Sequence, residues 1–179
     1  NGTTDKPVLG SSNRPLKSLT DMIVGKYGRF RENLLGKRVD YSATTVGVPD
    51  PSLEPDRCAL PIVIARELLE PFVIRRLKET GAADTTKSGR RAVERDDWDA
   101  REALRDVADE HYVLVQKFPT RGREQIRGLR ITLTDDRALH LPLSAWSLLR
   151  ASADREEVQV HLMLSDEARA DAKALLLPE

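Results

Sequence analysis

The chain has a single cysteine, Cys58, so no internal disulfide can form, and a reducing, cytoplasmic setting is the simplest expectation. No net charge is left over: Lys+Arg and Asp+Glu stand at 29 each, so any pull on a polyanion must come from a local patch. No apolar run approaches the roughly 20 residues that span a bilayer, and no basic-then-apolar leader opens the chain; no membrane partner is expected. An initiator Met is missing as well, since the chain starts Asn1-Gly2-Thr3-Thr4, and a fragment or a trimmed chain is the expectation. Phosphate-cradling Walker loops, nucleophile elbows, paired CxxC motifs and dinucleotide fingerprints are all absent. His111, His140 and His161 are too far apart in sequence to form a ligand motif. Burial beside Leu60 and Ile62 is expected for Cys58, and Trp98 and Trp146 are expected to be core anchors.

What is present is a globular composition, 40% hydrophobic and 32% charged over 179 residues, enough for one domain with a real core. The first stretch, residues 1–42, is Gly-rich and basic. Between Arg14 and Arg38 the cations Arg14, Lys17, Lys26, Arg29, Arg31, Lys37 and Arg38 meet only Asp21 and Glu32. Leu16, Leu19, Met22 and Ile23 fall at helical spacing before Gly25. Val39 to Val46 alternates and is β-branched, a strand that Pro49, Pro51 and Pro55 end.

Residues 60–110 read as a helical insertion. A strong helix from Leu60 to Thr80 should kink, or split in two, at Pro71 and stop at Gly81. A polar helical segment from Thr86 to Glu110 should bury Val93, Trp98, Leu104 and Val107. Beyond His111 the texture turns to short strands: Tyr112–Gln116, Gly128–Leu133, Ala138–Leu143 and Glu157–Leu164, the last with Val158, Val160 and Leu162 alternating. Ser165-Asp166-Glu167 then caps a C-terminal helix over 165–177. Strands at 39–48 and 112–164 flanking a helical excursion predict a mixed α/β, β-rich fold: one closed barrel with helices attached.

The residues that carry a resemblance come next. Asn13-Arg14-Pro15-Leu16-Lys17-Ser18-Leu19 and the run from Gly28 to Ser42 resemble the NRPLKSL and GRFRxNLLGKRVDYS of the bacterial RNA polymerase largest subunit, β′. Cys58-Ala59-Leu60-Pro61 is similar to the family's CGLP, and Glu70-Pro71-Phe72-Val73 to Leu77 to its KPF(I/V)xxRL. Weaker echoes are Pro119-Thr120, where the family has RAPT, and His161 with Leu164-Ser165, where it has HVPLS. The resemblance covers nearly the whole chain and fades toward its C-terminal part. It implies a double-psi β-barrel, six interlocked strands entered through a DNA-gripping switch segment.

By that resemblance Arg14, Lys26, Arg29, Arg31, Lys37 and Arg38 contact DNA or an RNA–DNA hybrid, with arginine forks and glycine-freed N–H groups suited to phosphate oxygens. On composition alone the same run is a solvated basic loop. Phe30 is either a stacking face or, as expected here, a core anchor.

The family's catalytic loop, NADFDGD, holds Mg²⁺ with three aspartates. Aligned on Val160-His161, its place is taken by Arg150 to Glu156: Ser152 replaces the first aspartate, Asp154 keeps the second, Glu156 replaces the third, and Arg155 replaces the glycine between them. A neutral hydroxyl is a poor ligand for a hard cation, and Glu carries its oxygens one methylene further out. Asp154 and Glu156 then read as loop acids paired with Arg155, which takes over the ion's electrostatic role. The nucleotide-contacting arginine of NRAPT corresponds to Lys117, which keeps the charge without the planar fork, and Thr44 occupies a further basic position. The expectation is a divergent β′-like barrel without catalytic residues, metal or cofactor. It would bind DNA, RNA or another polymerase-like subunit or barrel in transcription. Two alternatives stay open: a segment of an unusual polymerase completed by partner chains, and a scaffold barrel that binds no nucleic acid.

Overall fold

The computed structural model describes residues 8–36, 39–117, 120, 122–151 and 155–175. Lys37, Arg38, Ser152 and Asp154, all singled out above, lie outside them. The chain divides into two units, Asn1–Asp40 and Tyr41–Glu179.

In the first unit a turn closes between Gly10 N and Arg14 O at 2.8 Å, with Leu9 bridging to Pro15. Helix α1, Leu19–Ile23, begins at a capping box: Ser18 Oγ accepts from Asp21 N, and the Asp21 carboxylate accepts from Ser18 N. A single π-type turn follows at Phe30–Leu34. Gly28 must be glycine: a Cβ there would lie 2.4 Å from the Ile23 carbonyl oxygen. Neither helical segment buries a residue. Phe30 is 54% exposed, so the core role expected for it is corrected; the described part of its unit has no apolar interior to receive the ring.

The second unit is built around a closed barrel in the order β1-β5-β2-β4-β3-β6. Its strands are β1 Ser42–Pro49, β2 Arg57–Pro61, β3 Tyr112–Lys117, β4 Ile126–Thr134, β5 Leu139–Leu141 and β6 Glu156–Leu162. β1 runs parallel to β5 and β2 parallel to β4, while the remaining neighbours are antiparallel. This is the mixed, interlocked, closed barrel that a double-psi fold requires. Alternation fills it: Val113 and Val115 from β3, Leu129 and Ile131 from β4, Leu139 and Leu141 from β5, and Val158, Val160 and Leu162 from β6 are buried. Closure gives every described barrel strand a neighbour on both sides.

Helices cover the outside. α2, Ile62–Glu79, buries Ala65, Leu68, Leu69, Val73, Ile74 and Leu77, a stripe at three- and four-residue spacing. It runs as one helix through Pro71, where a split was one expectation. Gly81, at φ +77°, ends it as the sequence indicated. The segment expected to be one helix from Thr86 to Glu110 is two, α3 Thr86–Glu94 and α4 Trp98–Glu110. Asp96 takes a left-handed φ of 58° between them and turns the chain. The break rotates Trp98 out of the expected stripe; it is 70% exposed and anchors nothing in this unit. After Pro142 a short helix, α5 Leu143–Leu148, replaces the end of the strand expected to run to Leu143. Trp146 on α5 does pack against the core. α6, Asp166–Leu175, closes the described chain.

Candidate nucleic-acid interface and barrel mouth

Arg14, Lys26, Arg29 and Arg31 are all exposed. Arg29 Nη1 donates to Asn33 Oδ1 at 3.0 Å, one helical turn on, which orients the guanidinium along the π-type turn. The Lys26 ammonium lies 5.9 Å from the centre of the Tyr27 ring. Asp21, one of the two acids in the segment, is turned back on its own helix start, where the backbone N–H and hydroxyl of Ser18 lower its pKa. Its charge is thereby spent on α1 more than on the neighbouring cations.

The second feature lies where β3 ends and β6 begins. Lys117 shares the inward parity of Val113 and Val115, and Glu156 that of Val158 and Val160. Register places Lys117 opposite Val158 and Glu156 opposite Gly47 of β1. The two side chains meet: Lys117 Nζ donates to Glu156 Oε1 at 2.8 Å, and also reaches the Arg150 carbonyl at 3.4 Å. Their side chains are only 23% and 18% exposed. A Cβ on Gly47 would sit 3.1 Å from Val158 Cγ2 and 3.4 Å from the Trp146 ring, so the wall beside the pair is already full. Thr120 Oγ1 donates to the Lys117 carbonyl at 2.9 Å.

Two positions the sequence marked separately, one for nucleotide contact and one for metal, thus neutralise each other across the mouth of the barrel. The cation at 2.8 Å from Glu156 is Lys117. A carboxylate held by an ammonium is a poor fit for Mg²⁺, which demands several oxygen ligands in octahedral geometry. Among the described residues no three His, Cys, Asp or Glu side chains are placed to hold a metal ion.

Cys58 is fully buried, its thiol pushed up to about 12 by burial, and it donates to the Arg130 carbonyl. His111 is buried beside Phe72 and donates from Nδ1 to the Val107 carbonyl at 2.7 Å, and burial lowers its pKa. His161, lowered likewise by burial, contacts the Gln116 amide, which also donates to Gln159 at 2.8 Å. His140 had no assigned partners in the sequence; in the structure its two ring nitrogens each face a carboxylate, Asp50 at 3.1 Å and Asp136 at 2.8 Å.

A closed mixed barrel preceded in sequence by a basic segment defines the class, a double-psi barrel of the polymerase kind. The chain belongs to the family described as RNA polymerase Rpb1, domain 2, whose model matches residues 36–95 and 78–177. It is 50% identical over 177 residues to the DNA-directed RNA polymerase subunit beta' of Rhodopirellula baltica, covering 99% of this chain and 12% of that protein. Against the same subunit of Bifidobacterium adolescentis it is 48% identical, and of Clostridium acetobutylicum 45%, over 13% and 15% of their lengths. The chain therefore spans about an eighth of the curated relatives it matches. Among the described residues no helix is long and apolar enough to cross a membrane.

Proposed function

We propose that this chain is a divergent β′-like barrel that acts in transcription, in the cytoplasm, by contacting DNA or an RNA–DNA hybrid beside another polymerase-like subunit, without nucleotidyl transfer of its own. The observation that carries the loss of catalysis is the Lys117–Glu156 ion pair. Phosphoryl transfer on two metals needs the first ion clamped by free carboxylates. Here one of the candidate positions is held by a protein cation, and Ser152 supplies no charge at another. Isothermal titration with Mg²⁺ and Mn²⁺ should be flat. Replacing Ser152 and Glu156 by Asp and Arg155 by Gly should create Mn²⁺ binding, and adding Lys117→Met should strengthen it by removing the competing ammonium. Stoichiometric Mg²⁺ in the unaltered chain at low millimolar concentration would overturn this reading and favour a polymerase segment completed by partner chains.

Nucleic-acid contact is assigned to Arg14, Lys26, Arg29 and Arg31, with Lys37 and Arg38 adjoining in sequence. Each phosphate neutralised releases condensed counterions, so log affinity should fall linearly with log salt. Arg29→Ala/Arg31→Ala should weaken binding and flatten that slope by about 1.4–1.8, the value for two contacts on single or double strands. Fluorescence anisotropy across a salt series measures both. An unchanged slope would return the segment to a solvated loop and leave the scaffold reading.

A further inference from the structure

We propose that the cleft between α2 and α3 binds a small amphipathic monoanion, an aryl or alkyl carboxylate whose apolar body lies over Pro71 and Ile74 and whose carboxylate meets Lys78. The helical layer takes no part in the nucleic-acid reading above. Its first two helices form an antiparallel hairpin. Arg90 Nε on α3 reaches Glu70 Oε1 on α2 at 2.9 Å, and Thr86, at the start of α3, lines the same cleft as Lys78 and Glu79 at the end of α2. Gly89 lets the helices close: a Cβ there would sit 3.1 Å from Ile74 Cγ2. Beside that contact the long side chains part around a cleft of about 480 Å³, a size that suits a small ligand.

Charge sets the class of ligand. Arg75, Lys78 and Arg90 face Glu70 and Glu79 around the cleft, which leaves one positive charge over. Both acids are already engaged, Glu70 by Arg90 at 2.9 Å and Glu79 by Arg75 at 2.8 Å. The Lys78 ammonium has no such partner among the described residues. It is a compact point charge on a flexible stem, able to swing over the cleft and meet a carboxylate. Pro71 is exposed, and the aliphatic stems of Arg75, Lys78 and Arg90 extend the apolar surface around it. A neutral ligand forgoes the ammonium, and a cationic one is repelled. The rival occupant is an acidic peptide from a partner chain. Geometry disfavours it: the Arg90–Glu70 pair crosses one end of the cleft and the turn through Gly81 joins the helices at the other, so an extended chain has no through path.

The test uses the full chain, titrated at neutral pH with phenylbutyrate, phenylbutanol and phenylbutylammonium, and read by amide NMR. Phenylbutyrate should bind saturably and shift the amides of Ile74, Lys78, Thr86 and Arg90. The alcohol should bind more weakly and the ammonium weakest. Shortening phenylbutyrate should raise Kd by up to about fourfold per methylene removed. Lys78→Gln, at an exposed position, should weaken phenylbutyrate by about two- to fivefold and leave the alcohol unchanged. Unmoved cleft amides, an ammonium bound as tightly as the carboxylate, or a Lys78→Gln variant that holds phenylbutyrate as the parent does would overturn the proposal. So would an acidic peptide with a leucine anchor that shifts these amides where phenylbutyrate does not, and the cleft would then pass to a protein partner.

Discussion

Lys117→Met should lower the free energy of unfolding by about 2–4 kcal/mol, and Lys117→Met/Glu156→Leu should recover most of that loss. Removing one partner of a buried ion pair costs about 3–5 kcal/mol, because a charge then stays in a poorly solvated place without its counter-charge. Here each side chain keeps about a fifth of its surface in water, which sets the expectation somewhat lower. The Glu156 carboxylate would still point with Val158 and Val160 toward the barrel axis, without the ammonium at 2.8 Å. Glu156→Leu alone should cost less, since Lys117 retains the Arg150 carbonyl and a flexible stem that can reach water. Urea unfolding of the four proteins closes the cycle, provided the m-value stays constant. A coupling below about 0.5 kcal/mol would mean the two groups act independently, and the claim that the mouth is self-neutralised would fail.

The same pair shows where sequence reading stops. Lys117 and Glu156 were each visible as altered family positions, but they are 39 residues apart and their contact depends on register. Only when β3 and β6 pair, with Lys117 opposite Val158, do the inward parities bring them together. β6 was legible because its interior and exterior residues alternate. β2 was not: Cys58, Ala59 and Leu60 are all buried, so no alternation exists to be read, and the preceding prolines suggest a connector. The break between α3 and α4 was hidden because it uses neither Gly nor Pro. It uses Asp96 in a left-handed conformation, with the carboxylate ion-paired to Arg101. Trp98 was misassigned for the same reason, since the turn at Asp96 moves it off the buried face. The exposure of Phe30 was equally unreadable, because an aromatic ring beside arginines fits either a core or a stacking face.

Stability should also depend on pH through His140, with a maximum between the range where its carboxylate partners charge and the range where the imidazole loses its proton. Only an imidazolium can donate from both ring nitrogens, and both face carboxylates, Asp50 from the turn after β1 and Asp136 from the turn before β5. From β2 the residue in register is Ala59, which carries no charge. Burial works against the charged ring, but the Asp136 and Asp50 carboxylates outweigh it and raise its pKa above the ordinary 6.5. A group with a raised folded pKa contributes fully below its unfolded value; the contribution fades as pH climbs through the folded one. Hence the clamp is intact below 6.5 and weakens as pH climbs above that ordinary value. Its acids act in the opposite sense. Asp50, lowered first by Ser52 and then by His140, and Asp136, lowered first by His140, contribute above the ordinary 3.8 and lose that contribution as pH falls through their folded values. His111 and His161, both lowered by burial, oppose His140 as well: their contribution is lost as acid forces them to charge. The parent curve is therefore a sum, and the difference from Asp136→Asn isolates the clamp. That difference in urea midpoint should be largest near pH 6 and shrink toward pH 9, with the His140 ring proton shift titrating above 6.5 by NMR. A pH-independent difference, or a His140 titration at or below 6.5, would show that the seam joining β1 and β5 is held by neutral hydrogen bonding instead.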